Sequence, residues 1–307
     1  MHLSVYLPLL FTGLFGLAAP SLGRRLPPTL ATWVLSLGGL FAAAGSAASL
    51  ALLGFTLVGQ SPVLAARGHW SDTALRHADP VSAPVAAGAV VLLSVLGVRV
   101  AVTGARRLIA LRDAYRLAAV LPVAGGELAV IEHPGLHAFA VPGRPGHIVV
   151  STTLLRSLDP GERRAVLAHE RAHLTHRHHL HHTLAHLAAA ANPLLHRVPA
   201  ALAMCTERWA DEDAAGASRR DTVADALTNV AAGARRLDTP AVVLAAAATD
   251  VVTRVRALRA PAPRLTLWRV ALLLGLLAAT AAAVVDATHD TERLFELAQY
   301  AYRTGHR

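Results

Sequence analysis

Four stretches of this chain are long and apolar enough to cross a lipid bilayer, and no other feature of the sequence narrows its fold as much. A bilayer core takes about 20 mostly apolar residues per helix, because every backbone polar group inside it has to be bonded within its own segment. Leu3 to Pro20, Thr29 to Gly59 and Pro80 to Val98 contain no charged residue, and Leu265 to Val285 contains only Arg269. That arginine lies close enough to one end of its run to carry its charge to the headgroups. No basic residue precedes the first run, as one would in a cleaved signal peptide, so it is read as a retained anchor. The expected fold is a mostly α membrane protein with four transmembrane helices and one more polar segment, 104–264, long enough to fold as an α+β domain.

Charge gives the chain an orientation. All 29 basic residues are arginine, set against 20 acidic ones. Arginines flanking membrane helices are retained on the cytoplasmic side. Segment 99–264 holds 21 arginines and 14 acids, with Arg99, Arg106, Arg107 and Arg112 crowded at its start. In the loop before the third run, Arg67 and Arg76 are balanced by Asp72 and Asp79. The expected division is therefore 1–103, three transmembrane helices and their loops; 104–264, a cytoplasmic domain; 265–287, a fourth transmembrane helix; and 288–307, a short extracytoplasmic tail. Most of the +9 net charge then serves topology and attraction to anionic lipid. Aromatics are only 5% and the arginines form no stripe, which argues against direct nucleic-acid binding. The exclusive use of arginine and the alanine bias suit a GC-rich bacterial genome, and so a bacterial plasma membrane. Nothing in the sequence fixes the oligomeric state.

A single cysteine, Cys205, rules out an intrachain disulfide and any multi-cysteine metal site. Metal ligands have to come from the 17 histidines and the carboxylates. Within 104–264, Glu127 to Glu132 and Ala138 to Val141 read as short strands, and Pro142-Gly143-Arg144-Pro145-Gly146 as a turn into a third strand, His147 to Thr152. Asp159, Pro160 and Glu162 form a capping-box signature, opening a helix expected to run to about His182.

That helix carries His169-Glu170-Arg171-Ala172-His173. Histidines four apart lie on one helical face, so both imidazoles can reach a single metal ion. Glu170 beside them can take a proton from a water whose pKa the metal has lowered to about 7. Chance matches to this pattern number about 0.02 for this composition. The competing reading is a histidine-rich helix, since eight histidines fall between His169 and His186. His178, His179, His181, His182 and His186 are expected on the surface or facing headgroups. A catalytic ion wants a third protein ligand, and Glu207 and Asp211 stand four apart downstream. One of these carboxylates can bind the metal while the other orients a ligand histidine; beside the histidine pair, Glu207 is favoured as the ligand. His176 and Arg208 are the candidates for supporting a ligand or stabilising an oxyanion.

The order HAFAVPG (137–143), HIVVSTTLL (147–155), LAHERAHLTHRHH (167–179), Asn192-Pro193-Leu194, ERWADEDAA (207–215) and RVRALRAP (254–261) resembles the gluzincin membrane metallopeptidases. These include the HtpX and CAAX-protease group and the BlaR/MecR antirepressor group. The resemblance implies a zincin-like domain holding one zinc ion per chain on His169, His173 and Glu207, with Glu170 as the catalytic glutamate and Asp211 supporting a ligand. It also implies that the strand before the helix is the edge on which an extended substrate docks. Three spans before the catalytic segment and one after it resemble the BlaR/MecR arrangement; HtpX-type chains usually place two before. The chain departs from the β-lactam receptors in having no lysine, hence no Ser-x-x-Lys acylation motif, and in running only 22 residues past the last span, so no penicillin-binding sensor domain is expected.

The expected function is a zinc-dependent membrane endopeptidase that cleaves a protein or peptide on the cytoplasmic side by attack of zinc-bound water. Its role would be regulated proteolysis or signalling, with a BlaI/MecI-type transcriptional repressor as a candidate substrate. The alternatives are HtpX-like quality control of membrane proteins and a catalytically silent metal-binding regulator, against which the intact Glu170 argues. Leu184 to Ala203, apolar but broken by Pro193 and Pro199, is expected either to dip into the bilayer or to form a buried helix of the domain.

Overall fold

The computed structural model describes residues 4–78, 81–123, 126–235, 241–261 and 267–305. The first apolar run forms α1 (Leu7–Arg25). The second forms α2 (Pro28–Trp33), a π-helical turn at Val34–Gly38 and α3 (Gly39–Gly59), one apolar stretch from Pro28 to Gly59. Short helices α4 (Pro62–Gly68) and α5 (Asp72–Ala78) lead into α6 (Ala83–Val120). Three strands follow, β1 (Leu128–Ile131), β2 (Ala138–Val141) and β3 (His147–Ser151), then α7 (Thr152–Ser157), α8 (Pro160–Thr175), α9 (His178–Ala191) and α10 (Val198–Ala217). α11 (Arg220–Arg235), α12 (Ala241–Arg259) and α13 (Leu267–Gly305) complete the described chain.

Four helical stretches, Leu7–Arg25, Pro28–Gly59, Ala83–Val120 and Trp268–Thr304, are long and apolar enough to cross a membrane. Leu17, Val91, Val98 and Leu272 each expose more than 60% of their surface on them, as side chains meant for lipid would. α6 has 38 residues and α13 has 39, about 57–59 Å at 1.5 Å per residue, nearly twice the thickness of a bilayer core. Each continues as helix into polar sequence, so the expected divisions at 103/104 and 287/288 fall inside helices. The far part of α13 packs on the α4–α5 loop: Ser71 donates to the Ala298 carbonyl at 3.0 Å, and Phe295 sits 5.5 Å from Trp70 and 5.2 Å from Phe55. Arg269 donates to the Arg25 carbonyl at 3.3 Å, meeting the C-terminal end of α1.

The sheet is small and mixed, in the order β1-β3-β2, with β1 parallel and β2 antiparallel to β3. The β2–β3 hairpin is the one the Pro-Gly turn predicts. β3 lies in the middle and all five of its residues are buried. The edges are therefore β1 and β2, and β2, not the strand directly before the helix, is the edge beside α8. The cap on α8 follows the sequence signal: Asp159 accepts from the Gly161 and Glu162 amides while Glu162 accepts from the Asp159 amide.

One expected element changes. The helix from Pro160 does not reach His182 but stops at Thr175, because Arg177 takes a left-handed conformation (φ 50°) and α9 restarts in a new direction. Such a residue costs roughly 1–2 kcal/mol without glycine, so the surrounding packing has to hold it. α9 and α10 then form a hairpin whose tip, Pro193–Leu195, lies against the middle of α1. Ala185, Ala188, Leu195, Val198, Leu202 and Cys205 share one core with Phe15, Ala19, Leu26, Ala31, Leu35 and Ala43. The stretch Leu184 to Ala203 thus packs directly on the apolar helices.

Gly16 is where that hairpin meets α1: a Cβ there would stand 2.0 Å from the Leu194 carbonyl oxygen. Gly16→Val is expected to lower stability by about 1–3 kcal/mol or more. Gly97→Ala, in open space on α6, should leave it unchanged or raise it slightly. Thermal unfolding of the two variants in detergent checks the contrast.

Candidate metal centre

His169 and His173 lie one turn apart on α8 with their Nε2 atoms 3.2 Å from each other. α10 packs along α8 and brings in Glu207, whose Oε2 is 3.4 Å from His169 Nε2 and whose Oε1 is 3.5 Å from His173 Nε2. These three donors all fall within 4.8 Å of one another. Ligands held about 2.0–2.1 Å from a tetrahedral ion stand roughly 3.3–3.4 Å apart. The two imidazole nitrogens stand close to that separation and Glu207 reaches one of them through each oxygen, near enough for all three residues to meet one ion, and two imidazoles with a carboxylate are a donor set that first-row divalent ions accept.

Each ligand histidine is held through its other nitrogen. Asp211, one turn beyond Glu207 on α10, places Oδ1 3.0 Å from His169 Nδ1. His178, at the start of α9, places Nδ1 2.9 Å from His173 Nδ1. Both contacts leave Nε2 directed at the shared point, which fixes ring orientation and ligand basicity. The two carboxylates are in turn clamped by Arg254 of α12. Its Nε and NH2 donate to Asp211 at 2.8 and 2.6 Å, and its NH1 stands 2.8 Å from Glu207 Oε2.

This burial sets the protonation of the group. Burial opposes a charge on His169, but Asp211 and Glu207 reverse it and raise the imidazole to about 9. Burial lowers His173 to about 4 against the pull of Glu207. Burial works against the Glu207 charge as well, yet His169 and Arg254 hold that carboxyl well below the usual carboxylate range. A metal ion bound at Nε2 would have to displace the proton that this pairing holds on His169, since only a neutral imidazole can ligate a cation. Glu170 differs: burial pushes its carboxyl up, with Glu207 adding to the push while His169 and the Ala140 amide draw it back.

Glu170 and the three donors line a cleft of about 460 Å³ that also reaches β2 at Ala138, Phe139 and Ala140. The Ala140 amide faces Glu170 rather than β3. The outward-facing backbone groups along β2 are therefore those of Ala138 and Ala140.

The sequence-derived candidates fall into two sets. His169, Glu170, His173, Glu207 and Asp211 come together. His176 and Arg208 do not join them: His176 bonds Asp213 at 2.6 Å and stacks on Trp209, and Arg208 donates to the Gly23 carbonyl of α1 at 2.8 Å. Arg208 follows Glu207 by one residue, which turns it about 100° around α10 and toward the apolar helices. The expectation that His178 and His181 lie on the surface fails, because the break at Arg177 turns α9 onto the apolar helices. His178 and His181 are buried, His181 meets Ser36 of the π-helical turn at 2.9 Å, and His182 meets Thr206 at 3.0 Å. Arg254 and His178 are the functional positions missed. Arg254 stood in the RVRALRAP motif without a role, and its partners are more than 40 residues away. His178 is off the face of His173 on any unbroken helix.

The sequence profile of peptidase family M48 matches residues 106–261, just over half of the chain. No curated protein and no solved structure matches the chain.

His169→Ala and Glu207→Ala are expected to lose the metal. Arg254→Ala should retain the ligand set but bind metal about 10–100-fold more weakly. Metal content per chain, followed by competition with a chelator of known affinity, separates the two outcomes.

Proposed function

The chain belongs to peptidase family M48, a family of metal-dependent peptidases, and from that membership and the metal centre we propose that it is a zinc endopeptidase of the plasma membrane acting on the cytoplasmic side. The observation that carries the reading is the convergence of His169, His173 and Glu207 beside Glu170, under the free edge of β2. Two imidazoles and one carboxylate are the ligand set of catalytic zinc in several peptidases. Bound there, zinc would polarise a carbonyl and acidify a water. Glu170 takes the proton of the attacking water and passes it to the leaving amine, a task for which its raised pKa suits it. Asp211 and His178 hold the two imidazoles in register, and Arg254 holds the two carboxylates. The outward groups of Ala138 and the Ala140 carbonyl bind an extended substrate backbone as an added strand. The arginine excess of 99–264 supports the cytoplasmic orientation.

The substrate is a protein segment, and regulated proteolysis of a BlaI/MecI-type repressor is the role that three helices before the catalytic segment and one after it favour. Quality control of membrane proteins is the second reading, and a different observation favours it. The cleft at the metal centre shares His182 with a further hollow of about 610 Å³ between α6 and the α9–α10 hairpin, reaching Arg99, Thr103, His186 and Pro199. A substrate segment lying in the membrane would approach the metal centre from this side.

Glu170→Gln is expected to keep its zinc and lose at least about 10²-fold in kcat on an unfolded protein. A variant that keeps both zinc and full cellular function would return the chain to the silent-regulator reading. Incubation with a purified repressor and with a misassembled membrane protein, cleavage read by mass spectrometry, decides between the two substrate classes.

A further inference from the structure

Beside Glu170 the metal centre opens into a cavity of about 200 Å³ with aliphatic walls. The hollow of about 610 Å³ between α6 and the α9–α10 hairpin has a different lining. Arg99 and Thr103 of α6, His182 and His186 of α9, and His196 contribute its polar groups, with alanines and Pro199 between them. Among the described residues no carboxylate lines it.

Arg99, Thr103 and Arg107 stand four apart on α6, so they follow one another along one side of that helix. α9 lies close to it, since a Cβ on Gly104 would stand 3.7 Å from Leu187 Cδ2. Burial, with Arg107 adding to it, lowers the His186 pKa, so His186 offers a neutral imidazole N–H. Among the described residues neither Arg99 nor Arg107 forms an ion pair. The three histidines of the hollow do not gather within reach of one metal ion, as His169, His173 and Glu207 do. Two unpaired guanidiniums beside imidazole donors instead match the oxygens of a phosphate.

The hollow also stands where the surface of α6 changes character. Arg99 is the first charged residue after the uncharged run Pro80 to Val98. Val91, Val95, Val98 and Val102 are exposed and spaced to form one stripe along the same helix. An acyl chain can lie on that stripe while its headgroup turns into the hollow, and a soluble anion has no use for the stripe. Basic pockets between membrane helices recognise anionic headgroups in this way.

We propose that this hollow holds the phosphate of one anionic phospholipid, gripped by Arg99 and Arg107 and hydrogen-bonded by His186, with its acyl chains along α6. The lipid then bridges α6 and α9, and α9 begins at His178 beside the metal ligands. The inference stands apart from the peptidase reading, because lipid retention is read without cleavage.

The full chain is reconstituted in nanodiscs of phosphatidylglycerol and phosphatidylcholine in equal parts, released into detergent and weighed intact by mass spectrometry. One phosphatidylglycerol per chain should stay bound in preference to phosphatidylcholine. Arg99→Gln should lower the retained fraction at least about fivefold, and His186→Ala should lower it less. Arg24→Gln removes the same charge from the exposed end of α1 and should leave retention unchanged. Unaltered metal content in all three variants shows that the fold is intact. Equal retention of the two lipids would sink the proposal. So would equal losses in Arg99→Gln and Arg24→Gln, the mark of a diffuse attraction to the basic face. Phosphatidylglycerol, and not inorganic phosphate, should raise the melting temperature of the delipidated chain; equal protection by both would overturn the lipid as occupant.

Discussion

Two carboxylates on one face of α10, Glu207 and Asp211, set the terms for everything around them. Asp211 exposes only 2% of its side chain, and an uncompensated carboxylate there would cost several kcal/mol. Arg254 and His169 supply the compensation, and each can do so only if α8, α10 and α12 meet at one point. The demand to pair buried charge thus fixes the relative positions of three helices far apart in sequence. The same arrangement brings Glu207 and the two imidazoles into a spacing that a divalent ion fits.

A second constraint works from the membrane side. The α9–α10 hairpin gives up an independent surface to share a core with α1, α2 and α3, and close contact at Gly16 and Gly23 lets the helices approach. Small residues serve this purpose between apolar helices, where dispersion and fit replace the hydrophobic driving force. Because α9 starts at His178, beside the metal ligands, and ends against α1, the metal centre is tied to the apolar helices over one helix length. Ser36 on His181 adds a polar tie from the π-helical turn to the same helix.

Much of this was legible in the sequence because it depends on local physics. Charge-free runs of bilayer length fold as helices whatever surrounds them. The Asp159 cap and the Pro-Gly turn between β2 and β3 satisfy backbone groups within a few residues, so their outcome is written locally. The pairing of His169 with His173 follows from helical pitch alone. By contrast, the end of α8 carried no glycine or proline to announce it; Arg177 adopts its left-handed conformation because the packing of α9 requires it. Arg208 stands next to a metal-site residue in sequence, yet helical rotation aims it elsewhere.

The sequence by itself determined the apolar helices, the capped helix with its two histidines and glutamate, and the family to which residues 106–261 belong. Each of these rests on periodicity, length or motif order, which a single chain displays without its partners. Only the tertiary structure decided that β2 is the edge beside the metal cleft, that Arg254 clamps Glu207 and Asp211, that His178 steadies His173, and that an aliphatic cavity lies beside Glu170. Those features exist between segments 20 or more residues apart or across a helix break, where burial, strand pairing and charge pairing choose among arrangements that local sequence leaves equivalent.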